Sequence, residues 1–489
     1  MLLYNNIIKY YNTKCYNLIQ FTAQSKKDYL GMMEKLVSSI FKAYDIRGIV
    51  ATQLTPQTTE LIGQVLGSIA VESQVKGLVV GYDGRLTSPV LANSLIKGIL
   101  STGCNVFEIG EVTTPMVYFA NYELKTYSGV MITGSHNPPE YNGLKMVMAG
   151  ETLSGEKIQQ IYQRILDKRI ITGNGTHYRE NIQEAYFNKI TSDVKLNRRM
   201  SIVVDAGNGV AGKIAPQLYR RMGCKVLGLF CEVDGTFPNH HPDPSKPENL
   251  DDLINALKTT ETEIGLAFDG DGDRLGVVTK DGNIIYPDRQ MMLYAADILN
   301  KNPHGKIIYD VKSSRLLAEW IKENQGEPIM CRTGHSFVKA KIKETGALLA
   351  GEMSGHLFFN DRWNGSDDGV YAGARLLEIL AQVENPSELL NALPNAISTP
   401  ELNIAVEFEG EQHRIISELS QTAKFDGAQE IITIDGLRVE YADGFGLVRA
   451  SNTTPVLVLR FEADNNDALK RIMDQFRSIL HPHIKNLDL

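Results

Sequence analysis

The chain has 489 residues, well above the ~100–200 residues of one domain, so its length predicts several domains. Hydrophobic residues make up 43% and charged residues 22%, which excludes a chain that is disordered throughout. With 50 Lys and Arg against 58 Asp and Glu, the net charge of −8 excludes a general basic surface for nucleic acid or an anionic membrane.

The five cysteines are scattered and form no C-x-x-C pair, which disfavours a disulfide framework or a structural zinc site and favours a reducing compartment. No stretch reaches the ~18 apolar residues that span a bilayer. The first residues contain no signal-peptide core. We therefore expect a cytoplasmic protein. Residues 1–34 are rich in Tyr and Asn, and we expect them to be a disordered extension.

One pattern then recurs three times: an apolar β-rich run, a short loop, an amphipathic helix, a glycine and a second apolar run. The copies begin at Gly77, Ser201 and Gly305. Each copy predicts a βαβ unit, and the nearly continuous Val, Ile and Leu runs predict mixed or parallel sheets covered on both faces. The fold class is therefore α/β, with three related domains.

The pattern changes after about Thr399. Two alternating runs flank Asp435 and Gly436, which predicts a hairpin, and a further strand precedes a terminal helix. The end of the chain is therefore a separate α+β domain. We predict domain boundaries at 35–179, 180–284, 285–397 and 398–489.

In the first unit, a strand runs into a polar turn that presents Ser135, a candidate nucleophile. Thr133 stands where the hydrolase motif G-x-S-x-G needs its first glycine, so an acyl-transfer triad is disfavoured. A serine that faces a metal instead favours phosphoryl transfer. Nearby cations such as Lys145 would neutralise the charge that develops on the phosphoryl oxygens.

The second unit contains an alternative. Gly207, Gly209 and Gly212 satisfy G-x-G-x-x-G between a strand and a helix, and Glu232 stands about where a dinucleotide fold has its ribose-binding acid. However, a glycine-rich turn of this kind suits any α/β unit. A P-loop is disfavoured as well, because Ile214 stands where a P-loop needs the hydroxyl of Ser or Thr to bind Mg²⁺.

The same unit carries Asp269, Asp271 and Asp273 at alternate positions between two apolar runs. Three converging carboxylates suit a hard cation, and Mg²⁺ fits best because it takes few protein ligands and pairs with phosphate oxygens. An EF-hand is disfavoured, since Arg274 and Lys280 occupy positions that need Gly and Glu.

Two later loops are also polar. Glu352 and Ser354 offer acceptor and donor groups suited to vicinal sugar hydroxyls. In the last domain, the segment RASNTTP from Arg449 clusters donors that suit a phosphate dianion, although such a turn is common without a ligand. Because one such loop occurs in each unit, we predict a site in a cleft shared by four domains.

Six motifs in chain order, from about Phe41 onward, resemble those of the α-D-phosphohexomutases: YDIRG, TGSHNPPEYNGLK, DGDGDR, GHSFVK, GEMSGH and RASNTTP. Met353 in GEMSGH resembles the bacterial phosphomannomutase/phosphoglucomutase branch, whereas phosphoglucosamine mutases tend to carry Gln there. The resemblance implies a heart-shaped arrangement of three α/β domains with mixed sheets and a C-terminal α+β domain around a central cleft.

The resemblance also implies site residues. Ser135 would carry the catalytic phosphoryl group. Metal ligands would be an oxygen at Ser135 with Asp269, Asp271 and Asp273. Residues that stabilise charge or shuttle protons would be Arg47, His136, Lys145 and His335. Residues that bind the sugar or lie near it would be Tyr44, Arg274, Lys312, Glu352, Ser354 and His356. The loop for the non-reacting phosphate would contain Arg449, Ser451, Asn452 and Thr453.

The implied activity is the reversible conversion of hexose 1-phosphate and hexose 6-phosphate, of mannose and glucose, with Mg²⁺ as cofactor. It would proceed through a phosphoserine enzyme and a hexose 1,6-bisphosphate, which serves as intermediate and activator. Hexose phosphates would be the only partners of a monomer, with no nucleic acid and no membrane. Three alternatives stay open: a sugar-phosphate binding protein, a Mg²⁺-dependent phosphatase using the same serine, and a dinucleotide-dependent dehydrogenase.

Overall fold

The computed structural model of the chain describes residues 36–452 and 454–484. The predictions made for residues 1–34 and for Thr453 lie outside these described residues. Four sheets follow one another along the chain. The predicted class, three α/β units with mixed sheets and a C-terminal α+β unit, is confirmed. No helix in the described ranges is long and apolar enough to cross a membrane.

The first sheet has seven strands and is preceded by a short 3₁₀ turn at Ser38–Ile40. Its elements are β1 (Ile46–Ile49), α1 (Pro56–Glu72), β2 (Leu78–Tyr82), α2 (Ser88–Leu100), β3 (Val106–Glu111), α3 (Thr114–Glu123), β4 (Gly129–Ile132), β5 (Tyr141–Met148), β6 (Glu151–Thr152), α4 (Glu156–Leu166) and β7 (His177–Arg179). The strand order is β1-β5-β4-β2-β3-β7, and β6 pairs with β5.

The second and third sheets have five and four strands. The second unit comprises α5 (Gln183–Asp193), β8 (Ser201–Asp205), α6 (Ala211–Arg221), β9 (Lys225–Leu229), a 3₁₀ turn (Pro247–Leu250), α7 (Asp251–Thr259), β10 (Ile264–Phe268), β11 (Leu275–Thr279) and β12 (Ile284–Ile285). The third comprises α8 (Pro287–Lys301), β13 (Lys306–Asp310), α9 (Arg315–Glu323), β14 (Glu327–Cys331), α10 (His335–Thr345), β15 (Leu349–Gly351), β16 (Leu357–Phe359), α11 (Gly369–Leu380) and α12 (Pro386–Asn391).

The three units share one topology. In each, a first strand (β2, β8 or β13) pairs in parallel with the second and third strands. The third strand (β4, β10 or β15) then pairs antiparallel with the fourth. The three predicted βαβ copies supply the first two strands of each unit, so the internal repeat is confirmed. The loop between the third and fourth strands therefore leaves the same edge of each sheet.

That loop is where the motifs lie. The β4–β5 loop carries Ser135, the β10–β11 loop carries the three aspartates, and the β15–β16 loop carries Glu352. Residues that are about a hundred positions apart thus occupy equivalent places in three copies of one unit. The repeat explains why each α/β unit contributes one chemically unusual loop to a common region.

The fourth sheet is antiparallel and has six strands in the order β17-β22-β21-β20-β19, with β18 paired to β22. Its elements are β17 (Ile397–Ser398), β18 (Leu402–Ala405), α13 (Glu411–Thr422), β19 (Glu430–Ile432), β20 (Leu437–Tyr441), β21 (Gly444–Ala450), β22 (Val456–Ala463) and α14 (Asn466–Leu480). The predicted hairpin around Asp435 and Gly436 is confirmed, because Ile431 pairs with Val439.

One continuous apolar core extends through the first three units, and the first unit has a second apolar cluster of its own, whereas the core of the fourth unit is separate from both. A small cluster of Val311, Phe445 and Leu447 joins the fourth unit to the third. Beside it, buried Arg438 donates to the carbonyls of Val311 at 2.7 Å and Ser313 at 2.6 Å. Arg460 donates to the intervening carbonyl of Lys312 at 2.7 Å. Two arginines of the last sheet therefore hold the β13–α9 loop.

Replacing Arg438 by Met should weaken this junction. The change keeps an apolar stem over the Phe445 ring, which lies 3.7 Å from the guanidinium carbon, but leaves two buried carbonyls without their donor. We expect a loss of about 2 kcal/mol in the unfolding free energy of the fourth unit. Calorimetry, with hydrogen exchange of residues 311–313, measures it. The half-exposed Arg471, changed to Met, is the control and should cost less than about 1 kcal/mol. An equal loss of unfolding free energy in the two variants would contradict the role of Arg438 at this junction.

Candidate active site

Ser135 occupies a strained turn directly against the acidic loop of the next unit. Its φ is +50°, which a residue with a Cβ adopts only when its surroundings require it. Its buried Oγ donates to Asp269 Oδ2 at 3.0 Å and lies 3.2 Å from His136 Nδ1. Its N–H donates to Thr133 Oγ1 at 2.7 Å. The hydroxyl is therefore aimed at the carboxylates.

Arg85 holds this turn in place. Its buried guanidinium donates to four backbone carbonyls of the turn, those of Ser135, Asn137, Pro138 and Tyr141, at 2.5 to 3.1 Å. Asp83 completes the arrangement: it accepts from Arg85 Nε at 3.2 Å and from the N–H of Gly134 at 3.1 Å. The Ser135 conformation thus depends on a turn that follows β2.

Asp269, Asp271 and Asp273 converge as predicted. One oxygen from each lies within 4.8 Å of the others, and all three side chains are buried. Asp269 Oδ1 accepts from the N–H groups of Asp273 and Arg274 at 3.1 and 3.2 Å, which closes the turn. Among the described residues, Asp271 Oδ1 has no hydrogen-bond partner, and Asp273 Oδ1 has an ion-pair contact with His356 Nε2 at 3.3 Å. Buried carboxylate oxygens without donors suit a divalent cation that prefers oxygen ligands.

The electrostatics support the same conclusion. Burial, followed by the charges of Asp273 and Asp271, raises the pKa of Asp269 well above its usual range. Three carboxylates at this spacing therefore cannot all ionise readily without an added positive charge. Lys145 supplies one: its Nζ lies 2.8 Å from Asp271 Oδ2 and also pairs with Asp273. Burial would lower the pKa of Lys145, but Asp271 and Asp273 raise it overall, so this side chain stays charged.

The three histidines differ in protonation. Burial, then the charge of Arg274, lowers the pKa of His136 well below its usual range. Burial, then Lys339, does the same for His335. Burial would also lower the pKa of His356, but Asp273, 3.3 Å from its Nε2, raises it to about 9. At neutral pH the first two rings are therefore neutral and the third is charged.

The β15–β16 loop joins this cluster. Ser354 Oγ lies 2.9 Å from His356 Nδ1, and Glu352 Oε2 lies 3.3 Å from the same nitrogen. Glu352 Oε1 accepts from the N–H of Gly334 at 2.5 Å. Burial would raise the pKa of Glu352, but His356 lowers it overall, so the carboxylate is charged and accepts hydrogen bonds.

Tyr44 and Arg47 close one side of the site. The Tyr44 ring lies edge-on to His335, with centroids 5.8 Å apart. Arg47 pairs with Asp45 at 2.6 Å and donates to Asn137 Oδ1 at 2.8 Å. Arg47 is thus fixed to the turn that carries Ser135.

The loop between β21 and β22 brings the fourth unit to the site. Arg449 Nε donates to Asp435 Oδ2 at 2.9 Å, and the same oxygen accepts from the N–H of Thr333 at 2.9 Å. Lys312 pairs with Glu401 at 2.8 Å. Buried Asn452 Nδ2 has no hydrogen-bond partner within residues 36–452 and 454–484. The cationic groups are held in place by carboxylates, while this amide donor is left for a ligand.

Sequence reasoning missed several residues of the site. Thr114 Oγ1 donates to Asp271 Oδ2 at 2.5 Å. Asp310 accepts from Ser313, Thr333 and the N–H of Met353, and so joins three loops of the third unit. Asp310 ends β13 and Asp83 directly follows β2, positions at which a charged residue signals the edge of an α/β sheet that carries function. Thr114 gave no such signal.

Close packing explains the glycines of the G-x-G-x-x-G motif, which the sequence analysis considered as a dinucleotide-binding site. A Cβ on Gly209 would lie 2.8 Å from the Gly270 carbonyl oxygen, and a Cβ on Gly212 would lie 2.2 Å from that of Cys231. Gly209 allows the turn before α6 to pack against the acidic loop, and Gly212 allows α6 to pack against the segment that follows β9. Close packing therefore accounts for the motif without a nucleotide.

Family comparisons agree with this geometry. The four domains described for phosphoglucomutase/phosphomannomutase, three alpha/beta/alpha domains and a C-terminal domain, match residues 38–170, 178–282, 286–397 and 401–479. The chain belongs to the phosphoglucomutase/phosphomannomutase family. The resemblance to the α-D-phosphohexomutases is thereby confirmed.

Individual members of this family are similar over nearly their whole length. A phosphoglucomutase of Neisseria meningitidis serogroup A is 58% identical over 92% of this chain and 98% of its own. A phosphomannomutase/phosphoglucomutase of Pseudomonas aeruginosa is 54% identical over 91% and 96%. The crystal structure of a phosphoglucomutase/phosphomannomutase family protein from Burkholderia thailandensis has a TM-score of 0.88, with 54% identity over 92% and 98%.

The role of Arg85 can be tested without an activity assay. In Arg85→Lys the charge remains, but an ammonium cannot reproduce the planar fork that reaches four carbonyls. Losing about two hydrogen bonds of ~1 kcal/mol each should speed exchange of the Asn137 and Tyr141 amides roughly 30-fold. Hydrogen exchange measures this. Arg179→Lys, on an exposed side chain, is the control. Unchanged hydrogen exchange in Arg85→Lys would contradict the role of Arg85 in holding the Ser135 turn.

Proposed function

We propose that this protein interconverts hexose 1-phosphates and hexose 6-phosphates, of glucose and mannose, through a phosphorylated Ser135. The observation that carries the proposal is the 3.0 Å contact between Ser135 Oγ and Asp269, where the loops of two units meet beside a third. The names of the relatives, phosphoglucomutase and phosphomannomutase/phosphoglucomutase, support the reaction class.

In the first half-reaction, a free hydroxyl oxygen of a hexose monophosphate attacks the phosphorus on Ser135. The new O–P bond forms as the Ser135 Oγ–P bond breaks, and the sugar becomes a 1,6-bisphosphate. The attacking hydroxyl loses its proton, and the released Ser135 oxygen takes one up. The second half-reaction is the reverse, with the other phosphoryl group returned to Ser135.

The residues around Ser135 suit these charges and protons. We assign charge stabilisation to Lys145 and Arg47, since Lys145 is held charged by two aspartates. We assign proton transfer to His335 and His136, because their lowered pKa values keep them neutral and able to accept a proton. Asp269, Asp271 and Asp273 would hold Mg²⁺, which when bound neutralises negative charge on phosphoryl oxygens.

The bisphosphate must turn end for end between the two half-reactions, because Ser135 must meet both ends of the sugar. One loop must therefore bind either the 1-phosphate or the 6-phosphate while the other end reacts. We assign this role to Arg449, Ser451, Asn452 and Thr453. The Asn452 amide nitrogen, which has no hydrogen-bond partner among the described residues, supports this assignment. We assign the path between the two ends of the sugar to Tyr44, Lys312, Arg274 and His356. The fourth unit is attached through a small apolar cluster and arginine hydrogen bonds. This attachment suits a cleft that opens to let the bisphosphate rotate.

Further proposals concern the molecule as a whole. We place the domain boundaries at 35–179, 180–284, 285–397 and 398–489, and we propose a cytoplasmic monomer whose described cysteines are all unpaired. We also propose that hexose 1,6-bisphosphate activates the enzyme, since it can phosphorylate Ser135. Neither nucleic acid nor a membrane is needed for this chemistry.

Incubation with glucose 1-phosphate and Mg²⁺, followed by ³¹P NMR, tests the reaction. We expect glucose 6-phosphate to accumulate. Free phosphate would instead indicate a phosphatase, and binding without turnover a sugar-phosphate binding protein. A change that required a nicotinamide cofactor would indicate a dehydrogenase.

Ser135→Ala should reduce turnover by several orders of magnitude, because the covalent step has no other nucleophile. The fold should stay intact, as checked by circular dichroism, since the hydrogen bonds of the Ser135 hydroxyl to described residues are those to Asp269 and His136. Ser101→Ala, a change in an exposed serine, is the control. Near-normal turnover in Ser135→Ala would remove Ser135 from the mechanism.

Sugar specificity should be weak at C2. Glu352 and Ser354 are fixed by His356 and can read hydroxyls in both poses only near the middle of the ring. Glucose and mannose differ only at C2, so their kcat/KM values should agree within about tenfold, or roughly 1.4 kcal/mol. Glu352→Gln should lower both values together, whereas exposed Glu344→Gln should lower neither. A hundredfold preference, or an effect on one sugar alone, would contradict this reading of the loop.

A further inference from the structure

The turn at Asp435 and Gly436, which the sequence predicts only as part of a hairpin, lies where the third and fourth units meet. One side-chain oxygen of Asp435, Oδ2, accepts from Arg449 Nε at 2.9 Å and from the N–H of Thr333 at 2.9 Å. Arg449 belongs to the fourth unit, whereas Thr333 follows β14 of the third. The Asp435 side chain is only 9% exposed. A single, largely buried carboxylate oxygen therefore joins the two units.

The backbone of this turn places Asp435 beside Arg449. Gly436 has a φ of +86°, and a Cβ on it would lie 2.3 Å from the Val448 carbonyl oxygen and 2.7 Å from Arg449 Cα. Glycine thus lets the turn fold directly onto β21. The φ of Asp435 itself is not positive, so Ala or Asn can replace it without backbone strain. The position of residue 435 is therefore set by backbone packing, and its side chain can be changed without loss of the turn.

Asp435 holds Arg449 in an orientation that suits a phosphate. The contact is made through Nε, and no described residue accepts a hydrogen bond from the two terminal nitrogens of Arg449. A guanidinium that is fixed at Nε presents its terminal N–H groups as a planar fork that matches phosphate oxygens. Burial would lower the pKa of Arg449, but Asp435 raises it overall, so the fork stays charged.

The other partner of Asp435 leads to the β15–β16 loop. Thr333 and Gly334 form the connection between β14 and α10. The Thr333 Oγ1 donates to Asp310 Oδ2 at 3.1 Å, and the N–H of Gly334 donates to Glu352 Oε1 at 2.5 Å. Gly334 has a φ of +130°, which few residues other than glycine adopt. Carboxylates from three loops thus fix this two-residue segment, and Asp435 is the one that the fourth unit supplies.

We propose that Asp435 is a positioning residue that couples the phosphate-binding segment at Arg449 to the sugar-binding loop at Glu352. Its shared oxygen orients the guanidinium and, through Thr333 and Gly334, fixes the Glu352 carboxylate. A ligand that holds one of these groups in place therefore favours the arrangement that holds the other, and the coupling acts equally in both directions. The inference rests on the proposed function, because that function assigns the phosphate and the sugar hydroxyls to these groups.

Hydrogen exchange of the full-length protein, with Mg²⁺ and saturating glucose 1-phosphate, tests the coupling at the Gly334 amide, which Asp435 does not contact. We expect the ligand to slow exchange of this amide about tenfold. Asp435→Ala should weaken glucose 1-phosphate binding roughly 10- to 100-fold, as measured by calorimetry, because a hydrogen bond to a charged group is lost. When the variant is saturated at higher ligand concentration, the slowing at Gly334 should fall below about twofold. Equal slowing in Asp435→Ala, or none in the unaltered protein, would overturn the proposal.

Two further variants separate positioning from a merely structural role. Asp435→Asn keeps an acceptor oxygen and a residue favoured in turns, so it should restore most of the slowing at Gly334 and serves as a second test if Asp435→Ala does not fold. Asp443→Ala is the matched control, because Asp443 also lies in a turn of the fourth sheet and pairs with an arginine, Arg471, but is half exposed. This control should change neither affinity nor the slowing. A loss in Asp443→Ala equal to that in Asp435→Ala would overturn the proposal.

Binding and turnover together distinguish this inference from the proposed function. If glucose 1-phosphate binds and slows exchange at Gly334 only when Asp435 is present, but is not converted to glucose 6-phosphate, the coupling stands and the proposed function alone is refuted. If the protein is an active mutase and Asp435→Ala keeps both its kcat/KM and the slowing at Gly334, the coupling alone is refuted. A protein that bound no hexose phosphate would refute both.

Discussion

Negative charge gathered in a buried space is the constraint on which the rest of this structure depends. Two unit charges 4 Å apart repel by about 4 kcal/mol at an effective dielectric of 20, and Asp269, Asp271 and Asp273 place three such groups together. Burial, followed by the repulsion from Asp273 and Asp271, raises the pKa of Asp269 well above its usual range. Such a loop persists only where another part of the chain supplies positive charge. Lys145 does so from β5 of the preceding unit.

This requirement explains the rigid union of the first three units. The aspartates and their compensating lysine stand on different sheets, so the two sheets must keep a fixed relation. A continuous apolar core and the Thr114 contact to Asp271 maintain that relation. The strained Ser135 turn is held in the same way, by Arg85 from within its own unit. Preorganisation of these groups before the substrate arrives is what makes electrostatic stabilisation effective.

The fourth unit follows a different principle. It carries Arg449 and Asn452, to which we assign the binding of the non-reacting phosphate, but it has its own core, and it contacts the third unit through arginine hydrogen bonds and a small apolar cluster. In the proposed reaction, a sugar bisphosphate that must turn end for end needs one wall that can yield while the reacting centre stays fixed. The division between three units with a common core and one with a separate core suits that need.

The sequence by itself determined the fold class, the internal repeat and the loops that carry the chemistry. Apolar runs and turn residues are local signals, and the three aspartates converge because their spacing within one loop leaves little choice. Only the tertiary structure decided which residues hold those loops in place. Arg85 reaches four carbonyls some fifty positions away, and Asp367 meets His335 and Asp273 across two units. Long-range contacts of this kind leave no periodic trace, because a buried charge acquires its partner only when separate sheets pack together.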